Sequence, residues 1–405
     1  MRSYFNEFTK VLVFISYYLI GGGKMKKILP ILFCSVLLLP IFVSAEQDVT
    51  PNAKSAILIE ASTGKVLYEK NKQEKVAIAS LTKMMSQIII LEQIEAGKIK
   101  WDDVVTASSN AAGYGGTQIY LQPGEKMTVE DLFKGVSMAS ANDAVVALAE
   151  YVAGSEDAFV KMMMEKAKEL GLKNTNFVNP TGLDQEGHYS TAEDLAIISR
   201  ELVMNHPKIL EFSSLYEDYL RENTENKFWL VNTNKLIRFY EGADGLKTGF
   251  TDAAKYCMTV TAKRSNMRLI AIVLGEEVSK VRNAETTALL DYGFQSYQAK
   301  QMKEKGSVID KITLERSNKK EVELILKEDI QILEPIGTQN KEYQEKIKLN
   351  NYTLPIKEGD ILGKLQIYDA NQLIGEYDLI AKEDANKQTL LSYFSDNLKK
   401  IIRGT

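Results

Sequence analysis

The sequence predicts an α+β protein: an antiparallel sheet with a helical subdomain, then a small all-β domain and a C-terminal amphipathic helix. Three observations carry this. Alternating, strand-like runs occur near residue 56 and again from residue 256, and helical periodicity fills the interval. A sheet closed by such distant segments, with helices between them, is of the α+β class. From about Lys300 the texture changes to short alternating runs separated by charged or Gly-Asp turns, the pattern of a separate β domain.

Each element has its own signal. "AILIEASTGKVLYEKN" sets two alternating runs about a Ser-Thr-Gly turn, a β-hairpin. "KVAIASLTKMMSQIIILEQIEAG" reads as a helix opening at Ser80, and helical patterns dominate from there to about His206. "TVEDLFKGVSMASANDAVVALAEYVAG" and "SEDAFVKMMMEKAKELG" each begin with Thr or Ser followed by acids and end at Gly, as capped helices do. "YCMTVTAKRSNMRLIAIVLG" is a second hairpin turning at Ser265-Asn266, and a helix follows from Ser279 to about Tyr297. "VELILK", "EKIKLN", "ILGKLQIY" and "LIGEYDLIA" are short strands with no constellation of reactive residues, the mark of a spacer or docking module. In the last segment Leu390, Leu391, Phe394, Leu398, Ile401 and Ile402 form one apolar stripe beside Lys399, Lys400 and Arg403. Such a helix suits a membrane interface and is too short and polar to span; packing on the β domain is the alternative.

The N-terminus has the form of an export signal. Met25–Lys27 is a basic start, "ILPILFCSVLLLPIFV" an apolar core, and Val43-Ser44-Ala45 a small-residue cleavage site. Translation from Met25 is expected, because "GGGK" before it would be encoded by a G-rich run resembling a ribosome-binding site. A real extension, with "VLVFISYYLI" as a second hydrophobic segment, is the alternative. Either way the mature chain begins near Glu46, outside the cytoplasmic membrane.

Of the 405 residues 45% are hydrophobic and 26% charged, ordinary for a globular protein long enough for more than one domain. The net charge of −4 divides into +4 on residues 1–45 and −8 on the rest, a balance in which nothing suggests a nucleic-acid partner. Cys34 and Cys257 are the two cysteines, so no disulfide framework follows, and Cys34 lies in the segment expected to be removed. With His188 and His206 the two histidines, no zinc site is evident and no organic cofactor is implied.

Ser80 and Lys83 raise the chemical question. A serine one turn before a lysine lies on the same helix face. Amid Met84, Met85 and a run of Ile, burial would lower the amine's pKa and let it accept a proton. Two further triplets follow in order, Ser140-Ala141-Asn142 and Lys247-Thr248-Gly249. Internal controls exist: Ser317 to Lys320 in "ERSNKKE" repeats the first spacing, and Ser108–Asn110 and Ser395–Asn397 repeat the second. Lys320 sits in a charged turn where it would stay hydrated. The Ser80 set alone has all three elements in sequence.

Ser-x-x-Lys, Ser-x-Asn and Lys-Thr-Gly in this order are shared by penicillin-binding proteins and class A β-lactamases. The chain resembles the low-molecular-mass penicillin-binding proteins, the serine D-alanyl-D-alanine carboxypeptidases. "NPTGLDQEGHYSTAEDLA" and "GADGLKTGFTDAAKYC" look like extended blocks of that family. The resemblance covers nearly all of the mature chain and implies a β-lactamase/transpeptidase-like fold. It divides the chain into a signal peptide with its extension (1–45), a serine peptidase domain (46–299), a β-rich domain (300–384) and an anchoring helix (385–405).

A serine needs a base, and no Ser-His-Asp arrangement is evident. His188, in "EGHYST", reads as a structural turn residue and His206, before Pro207 at a helix end, as exposed. Lys83 must then serve, with Lys247 as a second cation lowering its pKa. The resemblance implies that Ser140 relays a proton to the leaving group and that Asn142 orients Lys83 and the substrate amide; helix capping would also explain both. It further implies an edge strand on which Lys247 supplies positive potential, Thr248 a hydroxyl for the substrate carboxylate, and Gly249 room for close approach. The N–H groups of Ser80 and Phe250 would form the oxyanion hole, and Arg282 would help hold the carboxylate unless it is a solvated helix-surface residue. Departures are "VNTNKL", where Val231 and Lys235 replace a usual His and Gly, and Lys255 where a Gly is common.

The expected activity is removal of the terminal D-alanine from peptidoglycan pentapeptide stems through a Ser80 acyl-enzyme, with β-lactams as acylating inhibitors. The expected partners are stem peptides, β-lactams and, through residues 386–405, a membrane surface. A β-lactamase, with Glu186 in roughly the right part of the chain for its second carboxylate, and a non-catalytic wall-binding protein of the same fold remain open. Transpeptidation as a side activity differs in acceptor, not in machinery.

Overall fold

A computed structural model describes residues 48–338 and 341–389. The expected signal segment and the apolar stripe from Leu390 onward lie outside these residues. Among the described residues no helix is long and apolar enough to cross a membrane.

The strands of the first sheet are β1 (Ser55–Glu60), β2 (Val66–Lys70), β5 (Ala243–Thr251), β6 (Lys255–Arg264) and β7 (Met267–Glu276), with a separate hairpin of β3 (Glu217–Leu220) and β4 (Phe228–Val231). The sheet order is β2-β1-β7-β6-β5, antiparallel throughout. Both predicted hairpins are present, and β1 joins them by pairing with β7, Leu58 opposite Ala271. All six residues of β1 are buried. The period of two explains how: Ile57 and Ile59 point into one hydrophobic cluster, Ala56 and Leu58 into the other. A sheet covered on both faces needs near-continuous apolar strands, which "RLIAIVLG" supplies.

One face carries the helices α1 (Lys83–Glu95), α2 (Val129–Ala139), α3 (Asn142–Ala153), α4 (Glu156–Glu169) and α5 (Ala192–Asn205); the other is covered by α6 (Ser279–Ser296) through Leu289 and Leu290. Capping follows the sequence: Thr128, Ser155 and Thr191 each accept an N–H three residues on. Two expectations are corrected. Ser80 does not open the α-helix; it lies in a single 3-10 turn, Ala79–Thr82, and the α-helix begins at Lys83. The stretch from Thr128 to Gly154 is not one helix either. It breaks at Ser140, whose φ of 63° is left-handed. Helix propensity continues through that point, so the break reflects tertiary demand.

Beyond α6 come β8 (Tyr297–Lys303), β9 (Val308–Thr313), β10 (Glu321–Leu326), β11 (Ile330–Pro335), β12 (Gln344–Leu349), β13 (Ile361–Asp369) and β14 (Gln372–Ala381). They form a five-stranded sheet ordered β9-β10-β14-β13-β12 and a β8–β11 pair. This β region has its own core, built on Leu324, Leu365, Ile367 and Leu379. Leu333 and Ala299 of the β8–β11 pair join the cluster beneath α6, which ties the two regions.

Candidate active site

The site forms where the turn before α1, the α2–α3 break, the loop 177–190 and the edge strand β5 meet. Lys83 is fully buried. Its Nζ lies 2.6 Å from Asn142 Oδ1, 2.7 Å from the Thr181 carbonyl and 2.9 Å from Ser80 Oγ. The Asn142 amide orientation follows from its Nδ2 donating to the Gly115 carbonyl at 2.7 Å. Two of the three neighbours of Nζ are therefore acceptors only. An ammonium donates to all three neighbours; in the neutral amine the two acceptors use both N–H bonds and the lone pair is left for the Ser80 hydroxyl. The electrostatics agree. Burial first, and then the Lys247 ammonium, hold the Lys83 pKa well below the lysine range, against an opposing pull from Asp143.

Ser140 sits at the left-handed break between α2 and α3, 4% exposed, and its Oγ has no hydrogen-bond partner among the described residues. Leaving a buried hydroxyl unpaired costs about 1–3 kcal/mol, and Ser140 Oγ is therefore available to a partner in the cleft. Ser140 is the left-handed C-cap of α2 through its backbone, but side-chain capping of α3 explains neither Ser140 nor Asn142. The N-cap of α3 is Ala141, with no side-chain bond, and Asn142 is the first helical residue, turned to Lys83.

Lys247 is buried on β5, which is the sheet edge as expected; its Nζ donates to the Thr248 carbonyl at 3.0 Å. Burial first and the Arg282 guanidinium second pull its pKa down to about 7. Thr248 is also buried, while Phe250 is half exposed and packs on Tyr256 with ring centroids 4.4 Å apart. Gly249 is required by close approach. A Cβ there would stand 3.0 Å from both Ala79 Cβ and the Ser80 amide nitrogen, so β5 lies against the serine turn. Arg282 is not a solvated surface residue: it is 7% exposed, its guanidinium lies 5.8 Å from the Tyr256 ring centroid, and Nη1 approaches the Cys257 carbonyl.

Several groups that hold this arrangement carried no distinctive sequence signal. Asp143 is fully buried and accepts the N–H groups of Ile119 and Leu121, fixing the loop beside Asn142. Asn179 Oδ1 accepts from the Thr181 and Gly182 N–H groups and so aims the Thr181 carbonyl. Gly182, at φ 82°, has no room for a side chain, since a Cβ would overlap the Ala79 carbonyl. His188 does act as a structural residue. Its Nδ1 accepts from Val178 N–H at 3.2 Å and its Nε2 lies 2.7 Å from Thr82 Oγ1; burial lowers its pKa to about 4. His206, expected to be exposed, is 5% exposed and bonded to Glu95.

Beside the departures at Val231 and Lys235, the two asparagines of the same stretch keep a structural role. Asn232 and Asn234 are buried and bond backbone groups around β5, Asn234 Nδ2 donating to the Gly245 carbonyl at 3.0 Å. Lys255 adopts φ 56°, the conformation a Gly takes without strain. The control pair behaves differently: Ser317 Oγ is engaged with the Asn386 carbonyl and Lys320 is exposed.

Residues 42–278 match the D-alanyl-D-alanine carboxypeptidase family model, and residues 297–387 match the penicillin-binding protein 5 C-terminal domain. The chain is 47% identical over 378 residues to the D-alanyl-D-alanine carboxypeptidase DacF of Bacillus subtilis (strain 168), covering 91% of this chain and 97% of that one. Among solved structures it resembles penicillin binding protein 5 from Haemophilus influenzae, at 31% identity and a TM-score of 0.68 over 83% of this chain and 98% of that one. It also resembles penicillin-binding protein D2 from Listeria monocytogenes in an ampicillin-bound form, at 34% identity and a TM-score of 0.55 over 60% of this chain and 98% of that one.

Proposed function

The chain belongs to the D-alanyl-D-alanine carboxypeptidase family, and we propose that it performs that family's reaction on peptidoglycan stem peptides through an acyl-enzyme on Ser80. The observation that carries the reading is the coordination of Lys83 Nζ: two acceptors take its N–H bonds and its third neighbour is the Ser80 hydroxyl.

The reaction follows from that geometry. Lys83 takes the hydroxyl proton as Ser80 Oγ attacks the carbonyl carbon of the penultimate D-alanine. The backbone N–H groups of Ser80 and Phe250 hold the oxyanion, an interaction whose loss raises a barrier by ~3–4 kcal/mol. As the C–N bond breaks, the proton on Lys83 passes through the unpaired Ser140 hydroxyl to the departing amine, and D-alanine leaves neutralised. Water then gives a proton to Lys83 and its oxygen to the acyl carbon; the acyl C–Oγ bond breaks and Lys83 returns the proton to Ser80 Oγ, which regenerates both groups. Lys247, Thr248 and Arg282 bind the terminal carboxylate, which restricts the reaction to a free C-terminus. Gly249 lets the strand lie close enough for Phe250 N–H to take part.

β-Lactams would acylate the same serine and deacylate slowly. The β-lactamase reading is disfavoured by Glu186, its candidate second carboxylate, which is exposed. Asp143 and Asp184 are already committed, the latter to Thr251 Oγ1 at 2.7 Å. We place the enzyme on the outer face of the cytoplasmic membrane, held by residues 386–405; liposome flotation with and without that segment tests the anchor, and equal flotation removes it.

The test of the activity is D-alanine release from a D-Ala-D-Ala-ended peptide, with mass spectrometry after penicillin treatment to locate the modified residue. Release by wild type, none by Ser80→Ala, and a penicilloyl group on Ser80 are expected. A modified residue elsewhere, or undiminished release by the variant, overturns the mechanism.

A further inference from the structure

A second cluster of titratable groups lies away from Ser80, at the far end of the helix that Lys83 begins. One ligand atom each from Glu92, Glu201 and His206 lies within 4.8 Å of the others. Glu92 is in the last turn of α1, Glu201 in the last turns of α5, and His206 follows α5 directly. We propose that these three residues form a binding site for a first-row transition-metal dication, with Zn2+ as the best fit. The site is independent of the serine chemistry.

The histidine carries the argument. Its Nδ1 lies 3.0 Å from both oxygens of the Glu95 carboxylate, so Nδ1 bears the hydrogen and donates it. In the tautomer with that hydrogen, Nε2 carries the lone pair of the ring. Nε2 is buried and has no hydrogen-bond partner among the described residues. It faces Glu201 Oε1 at 3.7 Å, beyond hydrogen-bond distance. Glu201 is held in that orientation because Asn205 Nδ2 donates to its other oxygen at 2.7 Å. A lone pair aimed at a carboxylate is repulsive unless a proton or a metal cation lies between them. A carboxylate that orients a histidine through Nδ1 while Nε2 faces outward is also the arrangement that prepares a histidine ligand.

The surroundings favour a cation independently. The C-terminal ends of α1 and α5 both meet here, each with partial negative charge, and neither has a basic residue in its last turn. Among the described residues, the ion pairs in and around the cluster bring Glu92, Glu95, Glu169 and Glu201 together with one ammonium, Lys166. Lys166 is itself buried and lies 2.5 Å from Glu92 Oε1 and 2.9 Å from Glu169. It neutralises one carboxylate and leaves the others unbalanced.

Donor type selects the metal. Imidazole nitrogen argues against Mg2+ and Ca2+, which prefer all-oxygen sets, and suits Zn2+ or its neighbours. Three protein ligands leave a fourth position for water. Tetrahedral ligands at about 2.1 Å from a metal stand about 3.4 Å apart, so the three side chains, whose ligand atoms now lie within 4.8 Å of one another, draw in on binding. A bound metal would clamp α1 to α5, at the opposite end of α1 from Lys83.

The test is titration of the chelator-treated, signal-free protein with ZnCl2, followed calorimetrically, with X-ray absorption on the loaded sample. One Zn2+ per chain, a first shell of N and O atoms at about 2.0–2.1 Å, and a saturable rise in Tm are expected. CaCl2 should not compete. His206→Gln and Glu201→Gln should each lower the affinity at least tenfold while D-alanine release stays unchanged; two variants are used so that a folding defect in one does not decide the matter. Absence of stoichiometric binding, sulfur in the first shell, unchanged affinity in both variants, or 15N spectra showing a proton on His206 Nε2 in the presence of Zn2+ would each overturn the site.

Discussion

The same four-residue pattern occurs in two regions of this molecule. Ser80 and Lys83 lie in the helical region and Ser317 and Lys320 in the β region, with identical spacing. Lys83 is fully buried, held by two acceptors, and close enough to another ammonium to feel it. Lys320 is exposed in a turn between β9 and β10, and Ser317 spends its hydroxyl on the Asn386 carbonyl. The residues are the same and the environments opposite. What makes a lysine a base is withdrawal from water together with partners that accept without charge, and neither condition is local to four residues.

The comparison can be broken most sharply at the amine. Lys83→Ala should slow acylation by labelled penicillin by about 10²- to 10⁴-fold, the usual worth of a general base. Lys320→Ala should leave the rate unchanged; a loss there would mean that the pattern, not its setting, matters. Asn142→Ala comes next. It removes one of the two acceptors that orient Nζ and should cost about 10²-fold in kcat, the scale of a misplacement near 1 Å, with little change in Tm.

A smaller and more diagnostic effect is expected with pH. Lys247 is cationic below its pKa of about 7 and loses that charge as pH rises through it. For a carboxylate-ended peptide, kcat/KM should therefore fall by about tenfold per pH unit on the alkaline side, and a peptide ending in an amide should lack this limb. Lys83 acts in the opposite sense. Its unprotonated form is required, so its limb lies on the acid side and activity falls as pH drops. Arg282→Gln, by removing the neighbouring positive charge, should move the alkaline limb to higher pH. A limb that stays in place would mean that Lys247 is not the group observed. Smallest of all, Ser317→Ala should shift stability by no more than about 0.5 kcal/mol in thermal melts, as for other surface changes.

Much of the fold was legible. Period-two alternation marked both hairpins that build the central sheet, and Thr128 and Ser155 marked helix starts because capping is a local interaction. The edge position of Lys247, Thr248 and Gly249 was anticipated from resemblance, and β5 is that edge. A helix start at Ser140–Asn142 was one reading of that triplet, but the left-handed backbone of Ser140 was not anticipated, because nothing in the local propensity of "MASANDAV" forces it. Loop 115–121 does, by bonding the backbone and side chains of Asn142 and Asp143. His206 was misjudged for a related reason. A residue before a proline at a helix end is usually solvated, but here Glu95, more than a hundred positions earlier, comes back to cover it.

The sequence by itself determined which groups are available: a serine with a lysine a turn later, a hydroxyl and an amide sixty residues on, and a cationic strand without side-chain bulk. Tertiary structure decided what those groups can do. The acceptors that fix Lys83 come from Asn142 and from the Thr181 carbonyl, 59 and 98 positions away, and the charge that helps depress its pKa comes from Lys247 across the sheet edge. Desolvation and electrostatic coupling depend on distance in space, and only the closed fold sets those distances.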